Sequence, residues 1–194
     1  MALAFTSEQM RNIRRRLYES AQRHALDTGL KKTSLDMLTT DAGISKSSFY
    51  KFFESKELLF LEISMDWEKE VLSAAARTLE MTEGRPNRER AAAFVYAVFE
   101  AIHQMGIARF LREDLPQLNA FIPQGSARAH CMDSAASIFE RLQQAHIRFT
   151  APDETVLSVI KLMYLSILNI SEIGEGFWQA LYVLVDGACA KLVA

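Results

Sequence analysis

The stretch TSLDMLTTDAGISKSSFYKFFESKELL, from Thr33 to Leu59, has the spacing of two short helices joined by a tight turn at Gly43. Apolar residues recur at helical intervals on one face of each helix, while the opposite face is polar. This pattern predicts a helix-turn-helix, whose second helix can enter the major groove of DNA. The predicted inward positions are Leu38, Ala42, Ile44, Phe49 and Phe52.

The outward face of the second helix carries small and basic side chains, namely Lys46, Ser47, Ser48 and Tyr50. Small serines let a helix approach base edges closely, and a helix N-terminus attracts phosphate. The alternative is an ordinary helical corner whose Lys and Ser residues are only solvated. The spacing favours DNA binding.

Residues 12–63 resemble the DNA-binding domain of the tetracycline-repressor (TetR) family, through the segments AGIS, KSSFY, FF and SKELL. This resemblance covers about a quarter of the chain. Thr39 departs from the family pattern, which commonly has a small apolar residue there, so we expect looser packing between the two helices. The resemblance implies phosphate contacts for Thr33, Ser34, Tyr50 and Lys56, and a groove-facing position for Lys46, Ser47 and Ser48.

Helical periodicity continues along the rest of the chain. Thr6 or Ser7 is the expected cap of the first helix, and Thr33, three residues before Asp36, is the expected cap of the second. Two later helices are expected over about residues 124–149 and from Pro152 to about Ile173. The 194 residues include only eight Gly and four Pro, and so few helix breakers favour long helices over a turn-rich β fold. With 49% apolar and 24% charged residues, the composition excludes a disordered chain. We predict an all-α protein, with a three-helix helix-turn-helix DNA-binding domain in residues 1–54 and a larger helical ligand-binding and dimerisation domain in residues 55–194.

Charge is unevenly distributed along the chain. Residues 1–60 contain ten Lys and Arg against seven Asp and Glu, whereas residues 61–194 contain twelve against seventeen. A basic head on an acidic body indicates a polyanionic partner for the head alone. We therefore expect a double-stranded DNA operator as the partner.

Two late segments, residues 156–170 and 177–193, are apolar on nearly every side. Lys161 and Asp186 interrupt them, and both are shorter than the roughly 20 residues of a membrane span, so we expect no membrane insertion. A body of about 130 residues can hardly bury two such helices alone. We expect a homodimer that pairs through the helices of about residues 153–173 and 177–193.

The helix of residues 88–105 carries two apolar stripes, which is more apolar width than one packing face requires. Further aromatic and methionine residues follow it. The pattern favours a pocket for a small, mostly apolar effector, and the alternative is a plain hydrophobic core. The candidate lining residues are Tyr96, Phe99, His103, Phe110, Phe121, Met132 and Phe139.

Catalysis has little support in the sequence. The four histidines show no metal-ligand spacing, and neither a Gly-rich phosphate loop nor a nucleophile elbow is present. Cys131 and Cys189 lie 58 positions apart, which fits a reducing compartment, and no signal peptide is visible. We expect a cytoplasmic protein that is not an enzyme and needs neither cofactor nor metal.

These features predict a ligand-responsive, homodimeric transcription regulator. Within the family it resembles, such a protein is most often a repressor, which a small and mostly apolar effector would release from a palindromic operator. The alternatives are a transcriptional activator or a ligand-blind DNA-binding protein of the same fold, and an enzyme on a helical scaffold ranks below both.

Overall fold

A computed structural model describes residues 5–121 and 134–194 of the chain. Within these ranges every regular element is a helix, and Phe149 and Val193 form an isolated antiparallel bridge. The predicted all-α fold is confirmed. The helices are α1 (Ser7–Asp27), α2 (Leu35–Ala42), α3 (Lys46–Phe49), α4 (Lys56–Met81), α5 (Asn87–Gln104), α6 (Ala108–Glu113), α7 (Leu115–Asn119), α8 (Ser134–Gln144), α9 (Asp153–Leu168), α10 (Ile170–Ile173) and α11 (Phe177–Leu192).

The chain divides into two compact units. Among the described residues, the first unit comprises residues 5–66 and 109–121, and the second comprises residues 67–108 and 134–194. The first unit therefore reaches beyond residue 54, because Phe60 of α4 is fully buried and stacks on Phe110 of α6 with ring centroids 6.3 Å apart. The boundary read from the sequence stays a prediction.

Side-chain caps fix where the first two helices begin. Thr6 caps α1, since its hydroxyl accepts from the Gln9 N–H while the Gln9 side chain accepts from the Thr6 N–H. The expected cap of α2 was Thr33, but the helix begins one residue later. Its cap is Ser34, whose hydroxyl accepts from the Met37 N–H at 3.2 Å.

The first unit has its core between α1, α2 and α3. Leu17, Leu38 and Phe49 are fully buried, as the spacing predicted for the last two. The prediction for Phe52 was wrong, because α3 ends at Phe49 and the residues beyond it no longer follow helical spacing. Phe53 is buried instead, at 7% exposure, while Phe52 is half-buried.

Thr39 occupies a buried position of α2, at 3% exposure. Its hydroxyl donates to the Leu35 carbonyl at 2.8 Å, within the same helix. A buried polar atom costs little when it has a partner, so threonine is accommodated here without a hydrogen bond from another helix.

The second unit places α11 along α5 and α9 along α8. The helix expected to reach Phe149 ends at Gln144, because His146 adopts a left-handed conformation with φ 60° and the chain then extends to the bridge with Val193. The helix expected to run from Pro152 to about Ile173 is interrupted at Asn169, which separates α9 from α10.

Each of α9 and α11 has one buried and one exposed apolar face. Ile160, Ile167, Leu181 and Val185 are buried within the second unit. The exposed large apolar residues are Leu162, Leu165, Tyr182, Val183 and Leu184, which are 48–69% exposed. In the described ranges, no helix combines the length and the apolarity that crossing a bilayer requires.

Candidate nucleic-acid interface and effector site

A left-handed glycine joins the two helices of the helix-turn-helix. Gly43 has φ 69° and ψ 37°, and its N–H donates to the Thr40 carbonyl at 3.0 Å. The Ile44 N–H donates to the Thr39 carbonyl at 2.9 Å, which closes the end of α2. Ser45 then caps α3, accepting from the Ser48 N–H at 3.3 Å. The turn thus fixes the direction in which α3 leaves α2.

Helix α3 is anchored on one side and open on the other. Phe49 is fully buried, and its ring meets that of Tyr50 edge-on, with centroids 5.6 Å apart. Tyr50 itself is 61% exposed, and Ser47 is exposed as well. The outward position predicted for these residues is therefore what the structure has, and Ser48 beside them is half-buried.

The two lysines of the candidate set both have partners within the chain. Lys46 Nζ lies 2.8 Å from the Asp36 carboxylate, and both side chains are more than half exposed. Lys56 Nζ donates to the carbonyls of Leu30 and Thr33, at 2.9 and 2.8 Å. Carbonyls carry no net charge, so Lys56 keeps its positive charge, whereas the charge of Lys46 is balanced by a carboxylate.

Thr33 and Ser34 differ in what they can offer a phosphate. The Thr33 side chain is buried, and its hydroxyl donates to the Gly29 carbonyl at 2.7 Å. Ser34 is exposed at the start of α2, where its hydroxyl acts as the helix cap. Of the two hydroxyls, only that of Ser34 lies at the surface.

A hydrogen-bonded cluster around Asp41, which was not predicted from the sequence, joins α1 to α2. Asp41 Oδ2 accepts from Ser20 Oγ at 2.6 Å and from Arg23 Nη2 at 2.9 Å, and lies 3.1 Å from His24 Nε2. The Ser20 hydroxyl, followed by His24 and Arg23, lowers the pKa of Asp41 despite the opposing effect of desolvation. The spacing of Ser20, Arg23 and His24 on one face of α1 was the signal available in the sequence.

A second polar cluster ties residues 109–121 to the end of α1 within the first unit. Arg109 Nη2 donates to the carbonyls of Ala25 and Leu26, both at 2.8 Å. Asp114 is only 4% exposed, and burial raises its pKa, although a hydrogen bond from the Leu30 backbone and the charge of Arg109 act in the opposite direction. This cluster holds the last turn of α1 in place.

In the second unit, two residues of the predicted effector set share an aromatic cluster. The Trp178 ring lies 5.8 Å from that of Tyr96 and 5.2 Å from that of His103, between centroids, and Tyr182 lies 6.2 Å from Tyr96. Trp178 and Tyr182 were not in the predicted set. Periodicity assigns each residue to a face of its own helix, but it does not say which faces of α5 and α11 meet.

The remaining members of the predicted effector set are dispersed. Phe99 is fully buried in the second unit, where Phe139 is 6% exposed and packs on Phe149 with centroids 5.3 Å apart. Phe110 and Phe121 belong to the first unit, in which Phe110 is buried and Phe121 is 60% exposed. Met132 lies outside the described residues.

An open apolar groove of about 430 Å³ runs along the exposed faces of α9 and α11. Leu162, Val183 and Leu184 line it together with small residues of α11, Gly187 and Ala188. Large exposed side chains next to small ones give a surface with both knobs and hollows. A surface with raised and recessed regions can be complementary to the same surface on a second copy of the chain.

Metal or thiol chemistry finds no support in the described ranges. They contain no group of three or more His, Cys, Asp or Glu side chains close enough to hold a metal ion. Burial, together with the charge of Asp186, raises the pKa of the Cys189 thiol to about 11. A thiol that stays protonated is a poor nucleophile and a poor metal ligand.

Known proteins share both the helix-turn-helix and the fold. Residues 17–63 match the family model described as bacterial regulatory proteins, tetR family. An uncharacterized HTH-type transcriptional regulator of Bacillus subtilis (strain 168), YhgD, is 30% identical over 94 residues. That alignment covers 48% of this chain and 49% of the relative, so it spans about half the length of that protein.

Among solved structures, a TetR family transcription regulator from Marinobacter aquaeolei VT8 has a TM-score of 0.59 at 17% identity, covering 97% of this chain and 99% of that one. RolR in complex with resorcinol has a TM-score of 0.59 at 16% identity, covering 94% and 89%. A protein of unknown function from Rhodococcus sp. RHA1 has a TM-score of 0.66 at 18% identity, covering 94% and 96%. At these identities the similarity establishes the fold.

Proposed function

We propose that this chain is a member of the TetR family of bacterial regulatory proteins and acts as a homodimeric transcriptional repressor that a small effector releases from DNA. One observation carries the DNA-binding part of the proposal. A left-handed Gly43 holds a short, Ser-capped helix whose inner side is anchored by Phe49 and whose outer side exposes Lys46, Ser47 and Tyr50. A helix presented in this way can enter a major groove.

We assign the DNA contacts in two groups. Lys46, Ser47 and Ser48 face the groove, where the small serines let α3 approach the base edges and the long Lys46 side chain can also reach a phosphate at the edge of the groove. The hydroxyl of Tyr50, Ser34 at the exposed start of α2, and the remaining N–H of the Lys56 ammonium contact phosphates. Thr33 is left out of this set, because it is buried and its hydroxyl and backbone N–H both bind the Gly29 carbonyl. The phosphate contacts set position and affinity, while the groove contacts select sequence.

Selection of bound duplexes from a random-sequence library tests the DNA-binding part. We expect the wild-type chain to enrich a palindrome with half-sites about 10 base pairs apart, as a twofold-symmetric dimer requires. Ser47→Glu on α3 should abolish the enrichment, because it places a carboxylate in the groove. Ser73→Glu, at an exposed position of α4, is the matched control and should leave it unchanged. A wild-type chain that enriches no sequence would contradict the proposal.

The exposed apolar faces of α9 and α11 support the homodimer. Leu162, Tyr182, Val183 and Leu184 are each more than half exposed, and three of them, Leu162, Val183 and Leu184, line the same groove. A second copy, presenting the same faces, would cover these residues and complete a four-helix interface. Obligate dimers bury about 2,000 Å² or more in total, and two pairs of four-turn helices can supply an area of that order.

The aromatic cluster on α5 and α11 supports an effector site in the second unit. Tyr96, His103 and Trp178 combine ring surface with polar atoms at the ring edges. The rings of Tyr96 and His103 both contact the ring of Trp178. Phe99 and Phe139 are buried apolar residues of the same unit. We assign a mostly apolar, aromatic effector, one of whose polar atoms binds Tyr96 or His103.

Trp178 fluorescence tests the effector site with defined probes. RolR was crystallised with resorcinol, an aromatic ring with two hydroxyls, which fits the chemistry assigned here. In a Trp67→Phe background, resorcinol should quench Trp178 saturably, toluene more weakly, and glycerol not at all. Tyr96→Phe should weaken the binding of resorcinol more than the binding of toluene, since it removes a hydroxyl and keeps the ring. Saturable quenching by none of the aromatic probes would contradict the assigned effector class.

Repression, rather than activation, is the regulatory outcome we assign, and a reporter gene placed downstream of the selected operator would test it. Expression should fall when the chain is produced and recover when the effector is added. The location we assign is the cytoplasm, which fits a buried, protonated thiol at Cys189 in place of a disulfide.

A further inference from the structure

Asp36 and Lys46 form an ion pair that joins the first turns of the two helices of the helix-turn-helix. Lys46 Nζ lies 2.8 Å from Asp36 Oδ2, and the side chains are 56% and 66% exposed, respectively. Asp36 is the second residue of α2, and Lys46 is the first residue of α3, the helix proposed to enter the major groove. The ammonium group that a DNA phosphate would bind is therefore already paired with a carboxylate of the same chain.

Among the described residues of the first unit, the other ion pairs do not involve the proposed DNA contacts in this way. The carboxylates of Asp41 and Glu62 bind Arg23 and Arg14, which are outside the proposed set. Lys56 belongs to the set, but its hydrogen bonds go to neutral carbonyls, so its charge remains uncompensated. Asp36 is thus placed to act on one cation of the interface.

The pair contributes little to folding, because exposed ion pairs are weak and salt-screened. Its effect on DNA binding is different in kind. A phosphate that approaches Lys46 must compete with the Asp36 carboxylate and also meets its negative charge. Affinity for DNA depends on the counterions that bound cations release, and a lysine already balanced by a carboxylate contributes less to that release.

We propose that Asp36 is a positioning residue that withholds Lys46 from phosphate and thereby lowers the affinity for DNA of any sequence. The proposal rests on the DNA-binding function proposed above. Without Asp36, Lys46 gains one full phosphate contact, which should steepen the dependence of log affinity on log salt by about 0.9. Between about 50 and 200 mM salt, that slope change alters the affinity ratio of variant to wild type about threefold.

Fluorescence anisotropy with a labelled, mixed-sequence duplex of about 30 base pairs tests this, with salt varied over the same range. The variants are Asp36→Asn, Lys46→Gln and their combination. Asp27→Asn is the matched control, because it changes the net charge equally at an exposed position at the end of α1. Thermal melts check folding, and Asp36→Ala serves as a second variant should Asp36→Asn be unstable.

We expect Asp36→Asn to tighten binding and to steepen the salt dependence, with a much smaller effect of Asp27→Asn. In the Lys46→Gln background, Asp36→Asn should lose most of its effect, because there is no ammonium left to release. Equal effects in both backgrounds would overturn the proposal, since Asp36 would then repel DNA directly. An effect no larger than that of Asp27→Asn, or weaker binding by Asp36→Asn, would overturn it as well.

The same titrations separate this inference from the proposed function. If the wild-type chain binds the duplex and Lys46→Gln weakens that binding, a null result for Asp36→Asn overturns the role of Asp36 alone. If the wild-type chain shows no salt-dependent binding to the duplex, the DNA-binding function and the role of Asp36 are both overturned.

Discussion

At the scale of single residues, Lys56 combines a structural and a functional task. Two of its three ammonium N–H groups bind the carbonyls of Leu30 and Thr33, which leaves one for a phosphate. Lys56→Met should therefore lower the free energy of unfolding by about 1–3 kcal/mol, because two charge-assisted hydrogen bonds are lost. It should also lower the salt slope of DNA binding by about 1.

Thermal melts and salt titrations of the same variant separate the two tasks of Lys56. Lys51→Met is the control, because Lys51 is exposed and its ammonium only lies over the Phe5 ring, 5.5 Å from the centroid. A lowered melting temperature with an unchanged salt slope would remove Lys56 from the phosphate set and leave it a structural residue.

Asp41 should make stability depend on pH. Hydrogen bonds from Ser20, His24 and Arg23 hold its folded-state pKa below the ordinary value of 3.8. The stabilisation is therefore fully present above the unfolded-state pKa and is lost as pH falls through the folded-state pKa. Asp41→Asn should cost about 1 kcal/mol at pH 7, because Asp41 is exposed and solvent screens its contacts, and its difference from wild type should shrink as the pH falls into that acidic range.

Urea unfolding of wild type and Asp41→Asn at several pH values measures this effect. Asp27→Asn, a carboxylate at the exposed end of α1, provides the baseline for general charge effects. A difference between wild type and Asp41→Asn that stays constant down to the most acidic pH would contradict the assigned role of the carboxylate charge.

At the scale of elements, two left-handed glycines end α1 and α2 under different steric conditions. A Cβ on Gly29 would come within 2.8 Å of both Arg109 Nη1 and Asp114 Oδ2, whereas a Cβ on Gly43 would have its nearest neighbour, Arg16 Nη1, at 3.8 Å. Both glycines have positive φ, 82° and 69°. Gly43→Ala should cost about 1–2 kcal/mol from backbone strain alone, and Gly29→Ala should cost more because it adds a clash.

Chemical denaturation of the two alanine variants gives the comparison directly, with each glycine site acting as the control for the other. Gly29→Ala should also disturb the Arg109 contacts to the end of α1, so its excess loss should fall when Arg109 is shortened, as in Arg109→Ala. Equal losses for the two variants would show that the Arg109 and Asp114 side chains move aside freely.

What the sequence predicted at this scale follows from how local each signal is. The turn at Gly43, the cap at Thr6 and the inward Phe49 depend on neighbouring residues only, and all were found. The cap of α2 and the burial of Phe53 rather than Phe52 were missed, because one residue more or less in a short helix changes the face. Contacts between distant segments, such as Trp178 with Tyr96, leave no mark on periodicity.

At the scale of the whole molecule, the apolar character of α9 and α11 was visible in the sequence, but the division of each helix into two faces was not. Because both helices are apolar on nearly every side, the sequence does not distinguish the environment of Leu168 and Leu181 from that of Leu162 and Leu184. In the structure the first two are buried within the protomer and the last two are exposed. Charge at Leu168 or Leu181 would therefore unfold the chain, and only the exposed pair can report on assembly.

The dimer predicts the outcome of placing charge on that exposed pair. The wild-type chain, of 21.9 kDa, should sediment at twice that mass at micromolar concentration. The double variant Leu162→Glu/Leu184→Glu should sediment as a monomer with unchanged helix content, because carboxylates at 68% and 56% exposed positions leave the protomer core intact but cannot be buried without partners. Its affinity for a palindromic duplex should fall, since one protomer reaches one half-site only. Met81→Glu, at an 82% exposed position of α4, is the control and should remain dimeric. Sedimentation of the wild-type chain as a monomer would contradict the dimer and leave these exposed faces to some other partner.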